Sequence, residues 1–87
     1  MSIYAIRIKY NNFGVNMLYQ RIKDFREDKD LTQTQMAKIL GVSQSTYSRY
    51  ELGVLDVPTD ILIKLAKFHQ TSVDYLLNLT DNPKPIR

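Results

Sequence analysis

Leu31-Thr32-Gln33-Thr34-Gln35-Met36-Ala37-Lys38-Ile39-Leu40-Gly41-Val42-Ser43-Gln44-Ser45-Thr46-Tyr47-Ser48-Arg49-Tyr50-Glu51-Leu52-Gly53 reads as two short helices joined by a tight turn. Thr32 and Gln35 have the spacing of a capping box. The Thr32 hydroxyl accepts from a backbone N–H of the first turn, and Gln35 reaches back to the N–H of Thr32. Met36, Ala37 and Leu40 then form the buried side of a helix that Gly41 ends, because glycine takes a left-handed conformation at least cost. Ser43 caps the next helix almost at once, leaving a turn of only about three residues. That second helix runs to about Leu52, and Gly53 stops it.

Working outward, Leu18, Ile22 and Phe25 recur at intervals of four and three, with Arg21, Lys23, Asp24 and Arg26 between them, so an amphipathic helix beginning near Met17 precedes the pair. After Gly53, Val54-Leu55-Asp56-Val57-Pro58 is a loop, and Pro58 and Thr59 start a fourth helix whose apolar face is Ile61, Leu62, Leu65, Ala66 and Phe68. Ser72 caps a short fifth helix from Val73 to about Asn78, with Asp74 in the first turn where the helix dipole favours negative charge. The expected architecture is all-α: a compact domain over 17–79, with an arm at 1–16 and a flexible tail at 80–87. Tyr4, Ile6, Ile8 and Tyr10 alternate with Ala5, Arg7 and Lys9, a period that suits a β-strand, and Asn11-Asn12-Phe13-Gly14 reads as a turn. One strand is not stable alone, so the arm either pairs with a partner chain or is disordered. A third option is that Met17 is the natural start and the preceding residues come from an upstream one.

The chain has 87 residues, 44% of them hydrophobic and 24% charged, which suits one globular domain rather than a disordered polymer. It has no cysteine, so helix packing must replace any disulfide or thiolate–zinc staple. Arg7 and Lys9 interrupt the first segment, and no later stretch approaches a membrane span, so a soluble cytoplasmic protein is expected. The formal charge is +3, yet residues 17–79 balance eight Lys and Arg against eight Asp and Glu. Any affinity for a polyanion must therefore come from where charges and dipoles are placed.

Helical spacing puts Gln44, Ser45, Ser48, Arg49 and Leu52 on one face of the third helix and turns Tyr47 and Tyr50 the other way. In a helix-turn-helix the second helix presents such a face to base edges. Glutamine can bond adenine at two points, arginine can bond guanine at two points, and serine can bond either. Gln33 and Ser43 stand at helix starts, where free N–H groups and side-chain donors suit phosphate without net positive charge. Capping alone would also account for residues at such positions.

Leu31–Ala37, Leu40–Ser48, Tyr50-Glu51-x-Gly53 and Val73-Asp74-Tyr75-Leu76-Leu77-Asn78 together resemble the Cro/CI-type (XRE) helix-turn-helix family of phage and bacterial transcriptional repressors. The resemblance covers 17–79 and implies a five-helix, lambda-repressor-like DNA-binding domain. It implies base-reading roles for Gln44, Ser45, Ser48 and Arg49 and phosphate contacts for Gln33, Ser43 and Thr46. Arg26 and Glu51 match a structural ion pair tying the first helix to the end of the third. No cofactor is implied. The partner is double-stranded DNA, bound as a homodimer on a palindromic operator with half-sites about 34 Å apart.

One departure bears on strength of binding. Family members often carry Lys or Arg after the glycine that follows the third helix, whereas this chain has Val54-Leu55-Asp56-Val57. Each phosphate contact contributes about one unit of salt slope, so weaker and less salt-dependent DNA binding is expected. Leu52, Val54, Leu55 and Val57 either form a dimer or partner surface or fold back on the core. A protein-interaction or antitoxin-like module with weak DNA binding is the alternative function, its partner meeting 52–57 or the arm. An enzyme has little support: His69, the sole histidine, has no neighbouring metal ligand and is expected at the surface or half-buried. Asp28/Asp30 and Asp56/Asp60 fall on loops and caps, and no glycine-rich phosphate loop is present.

Overall fold

The computed structural model describes residues 19–85. It contains α1 (Gln20–Asp28), α2 (Gln33–Leu40), α3 (Gln44–Leu52), α4 (Thr59–His69) and α5 (Val73–Leu76), with no strand among the described residues. The alternating segment 4–10 and the start of the first helix at Met17 and Leu18 lie outside that range.

The punctuation follows from local hydrogen bonding. Thr32 Oγ1 accepts from the Gln35 N–H at 3.0 Å, and Gln35 Oε1 accepts from the Thr32 N–H at 2.8 Å, completing the capping box of α2. Gly41 ends α2 at φ 78°, where its N–H reaches Lys38 O and the Val42 N–H reaches Ala37 O. A side chain at Gly41 would meet no atom within 4 Å, so the backbone angle and not space is what requires glycine there. Ser43 and Ser72 cap α3 and α5 by accepting from Thr46 N and Tyr75 N. The last helix is shorter than expected, stopping at Leu76. Asn78 turns left-handed at φ 65°, a conformation asparagine tolerates, and the Leu79 N–H bonds back to Asp74 O at 2.8 Å.

Every helix contributes a fully buried large side chain to one core: Ile22 from α1, Met36 and Leu40 from α2, Tyr47 from α3, Leu65 from α4 and Leu76 from α5. This packing clamps α2 and α3 at the angle their turn permits. Residues 80–85 have no helix or strand, but the Thr80 and Pro83 carbonyls are bonded to side chains of the bundle. Arg21 Nη1 donates to Tyr75 O at 2.9 Å and Thr80 O at 2.7 Å, its guanidinium lies 3.8 Å from the Tyr75 ring centre, and Thr71 Oγ1 donates to Pro83 O.

His69 departs from expectation. It is buried, with its ring stacked on Phe25 at 4.9 Å between centroids and edge-on to Phe68 at 5.0 Å. Its place at the end of α4 suggested the surface, but α1 supplies an aromatic wall there. Neither ring nitrogen has a hydrogen-bond partner among the described residues. Burial, helped by the nearby Lys29 charge, lowers its pKa to about 4. The unfolded chain takes up this proton near its ordinary value of about 6.5. Stability should therefore be full above that value and fall as pH drops towards 4, levelling off below it. In His69→Phe, the stability lost between about pH 7 and about pH 4.5 should shrink by roughly 2 kcal/mol. Urea unfolding at the two pH values checks this, and an unchanged loss would show that His69 is solvated.

Candidate nucleic-acid interface

The short turn Gly41–Ser43 joins α2 to α3, and a side-chain contact between Gln33 and Gln44 brings the start of α2 beside the start of α3. Gln44, Ser45 and Arg49 are exposed on α3, Ser48 and Thr46 are half-buried, and Ser43 is exposed at the cap. Tyr47 and Tyr50 point inward and meet edge to face, with centroids 6.4 Å apart. The spacing-based division of α3 into a polar outer and an aromatic inner face therefore holds.

Beneath that outer face lies a line of hydrogen bonds. Arg26 of α1 grips Glu51 of α3 with both ends of its fork: Nε donates to Oε2 at 2.6 Å and Nη2 to Oε1 at 3.0 Å. Arg26 Nη1 also donates to Leu31 O at 2.7 Å, fastening the link between α1 and α2. Both charged residues are buried. Gln33 Nε2 donates to Glu51 Oε1 at 3.0 Å, and Gln33 Oε1 accepts from Gln44 Nε2 at 2.8 Å. Two residues expected to meet DNA are thus joined to the pair expected to be structural.

Burial alone would raise the Glu51 pKa, but hydrogen bonds from Arg26 and Gln33 outweigh it and hold the carboxyl below its ordinary value. The Glu51 bond to Arg26 keeps the guanidinium's pKa raised. Burial pushes the Tyr47 phenol far upward, so it stays protonated beside this pair. At the cap, Ser43 Oγ accepts from Thr46 N and donates to Thr46 Oγ1 at 2.9 Å. The Arg49 side chain makes no ion pair among the described residues, and its backbone carbonyl is engaged by the N–H groups of Gly53 and Val54 that close α3.

The loop after α3 divides between its two expected fates. Val57 folds into the core at 8% exposure, while Leu52, Val54 and Leu55 remain 50%, 64% and 38% exposed. Asp56 beside them accepts from the Tyr19 hydroxyl at 3.3 Å. The contacts of Tyr19 and Arg21 and the Gln33–Glu51 bond carry no periodic or capping signal and were not expected from the sequence. Among the described residues, no group of three His, Cys, Asp or Glu is placed to hold a metal, and no helix is long and apolar enough to cross a membrane.

A family profile described as helix-turn-helix matches residues 22–76, which includes all five helices apart from Gln20 and Arg21 at the start of α1. The chain belongs to the helix-turn-helix family. It is 41% identical over 69 residues to an uncharacterized HTH-type transcriptional regulator, YobD, of Bacillus subtilis, covering 79% of this chain and 62% of that one. It is 41% identical over 59 residues to antitoxin PezA of Streptococcus pneumoniae, covering 67% and 37%. It is 34% identical over 62 residues to the cryptic phage CTXphi transcriptional repressor RstR of Vibrio cholerae, covering 71% and 56%. In each case the match spans less than two thirds of the relative's own length. No solved structure matches the chain significantly.

A buried pair is costly to break from one side, because the remaining charge is left uncompensated. Arg26→Met alone and Glu51→Met alone should each cost about 3 kcal/mol, while the double variant should cost clearly less than their sum. Denaturant unfolding of the three variants measures the coupling, and additive losses would mean the two charges are independently solvated.

Proposed function

We propose that this domain binds double-stranded DNA sequence-dependently, with α3 in the major groove, and acts as a transcriptional regulator that represses its target. The observation that carries the reading is the exposed polar face of α3, set beside the start of α2 and backed by buried aromatic residues. In this reading Gln44, Ser45, Ser48 and Arg49 meet base edges. Gln33, Ser43 and Thr46 contact phosphates with neutral donors, helped by the N-terminal dipoles of α2 and α3. Membership of the helix-turn-helix family supports this, as do relatives named as a transcriptional regulator and a transcriptional repressor.

The domain works as a homodimer on a palindromic operator, with Leu52, Val54 and Leu55 as the apolar contribution to the contact between copies. The exposed loop and the antitoxin among the relatives favour a second reading, in which the same patch holds a protein partner while the domain binds its own operator weakly. Both readings share the absence of Lys and Arg between Arg49 and Lys64, so the salt dependence of binding should be shallow.

Selection of bound sequences from a random duplex pool, at low and moderate salt, distinguishes the readings. The wild-type protein should enrich a palindromic motif. Gln44→Ala and Arg49→Ala should each relax one position by roughly tenfold or more, the scale of a two-point base contact of about 1–3 kcal/mol. A lack of enrichment at either salt contradicts DNA recognition by this chain and leaves the apolar patch as the functional surface.

A further inference from the structure

Glu51 is 6% exposed and lies under the face that meets DNA, so it has no direct route to a base. Its chemistry nevertheless constrains one that does. An ionised carboxylate only accepts hydrogen bonds. Oε2 takes Arg26 Nε, and Oε1 takes both Arg26 Nη2 and Gln33 Nε2. Gln33 must therefore turn its NH2 towards Glu51, since the opposite amide orientation would set a carbonyl oxygen against the carboxylate. Amide orientation is ordinarily ambiguous, and here an acceptor-only neighbour removes the ambiguity.

The consequence passes along the line. With its NH2 on Glu51, Gln33 presents Oε1 to Gln44, and only a donor can meet it, so Gln44 supplies Nε2 at 2.8 Å. Gln44 is left with Oε1 and one N–H for a ligand. An acceptor beside a donor is the complement of adenine's major-groove edge, where N6–H donates and N7 accepts. The reverse orientation of Gln44 would direct its NH2 outward and offer donors to guanine O6 and N7.

We infer that Glu51 is a positioning residue for base selection: by fixing the amide direction of Gln33 it fixes that of Gln44, and so directs Gln44 to adenine over guanine. The inference rests on the reading of α3 as the base-reading helix. It gives the buried pair a part in specificity in addition to its part in stability.

The test has two arms, with Glu51→Gln and Gln33→Leu compared with the wild-type protein. A glutamine at 51 can both donate and accept, which frees the line to run either way. Gln33→Leu cuts the line on a half-buried residue and leaves the Arg26–Glu51 pair intact, so it guards against a folding defect in the first variant. In DNA-free isotope-labelled protein, NMR couplings across hydrogen bonds should connect Gln44 Nε2 to the Gln33 side-chain carbonyl carbon, and Glu51→Gln should abolish that single pattern. A coupling running from Gln33 Nε2 to the Gln44 carbonyl carbon would overturn the inference without touching the DNA reading.

In duplex selection with equal amounts of folded protein, the adenine-over-guanine preference at the position relaxed by Gln44→Ala should fall about tenfold in both variants, equivalent to ~1.4 kcal/mol. Glu51→Gln that lowers affinity for all sequences equally, with the preference intact, would make Glu51 purely structural and overturn the inference. A wild-type protein that enriches no sequence overturns the role in base selection together with the DNA reading, and the couplings then decide the amide line by themselves.

Discussion

Two opposite charges share the interior where α1, the start of α2 and the end of α3 converge. Removing a guanidinium and a carboxylate from water costs several kcal/mol each, and only close pairing with full hydrogen bonding offsets it. Arg26 and Glu51 meet that condition through a two-point fork, the Leu31 carbonyl and the Gln33 amide. Because all these partners are needed, the three segments that carry them are held in one relative position. The apolar core, with Ile22, Met36 and Leu65 fully buried, supplies cohesion, and the bidentate ion pair adds a directional constraint that non-directional apolar contact does not.

The outer face of α3 inherits this order. Its polar side chains lie over a helix whose inner side is locked by Tyr47, Tyr50 and Glu51, and whose start is fixed by the Gly41 turn and the Ser43 cap. If this face reads DNA as proposed, a surface built from glutamine, serine and a single arginine does not rely on strong long-range attraction. Its discrimination has to come from the direction of hydrogen bonds, which makes preorganisation beneath it matter more than in a strongly basic domain. The charge balance of 17–79 and the cation-free loop after α3 point the same way.

Helix ends were legible because their signals are local. Thr32 with Gln35, Gly41, Ser43 and Gly53 each act within a few residues, and the structure places α2 and α3 within the limits they set. The two faces of α3 were legible from spacing, and the Arg26–Glu51 pair from family resemblance. What escaped was contact between residues remote in sequence. His69 is buried by Phe25 from another helix, and Arg21 reaches Tyr75 and Thr80 across the bundle. The Gln33–Glu51 bond joins positions 18 apart with no shared periodicity. Such contacts depend on how helices pack, which a pattern along one chain does not encode. The loop after α3 was undecided for the same reason, since Val57 and its exposed neighbours are alike in composition.

Mapping backbone amide NMR shifts while a selected duplex is titrated into the protein tests most directly where nucleic acid is met. The expected perturbations cluster at Gln33 and at Ser43 through Arg49, with Lys29, Phe68 and Asp74 on other surfaces unmoved. Perturbations centred on Leu52–Leu55, with the outer face of α3 silent, would contradict the assignment of α3 as the reading helix.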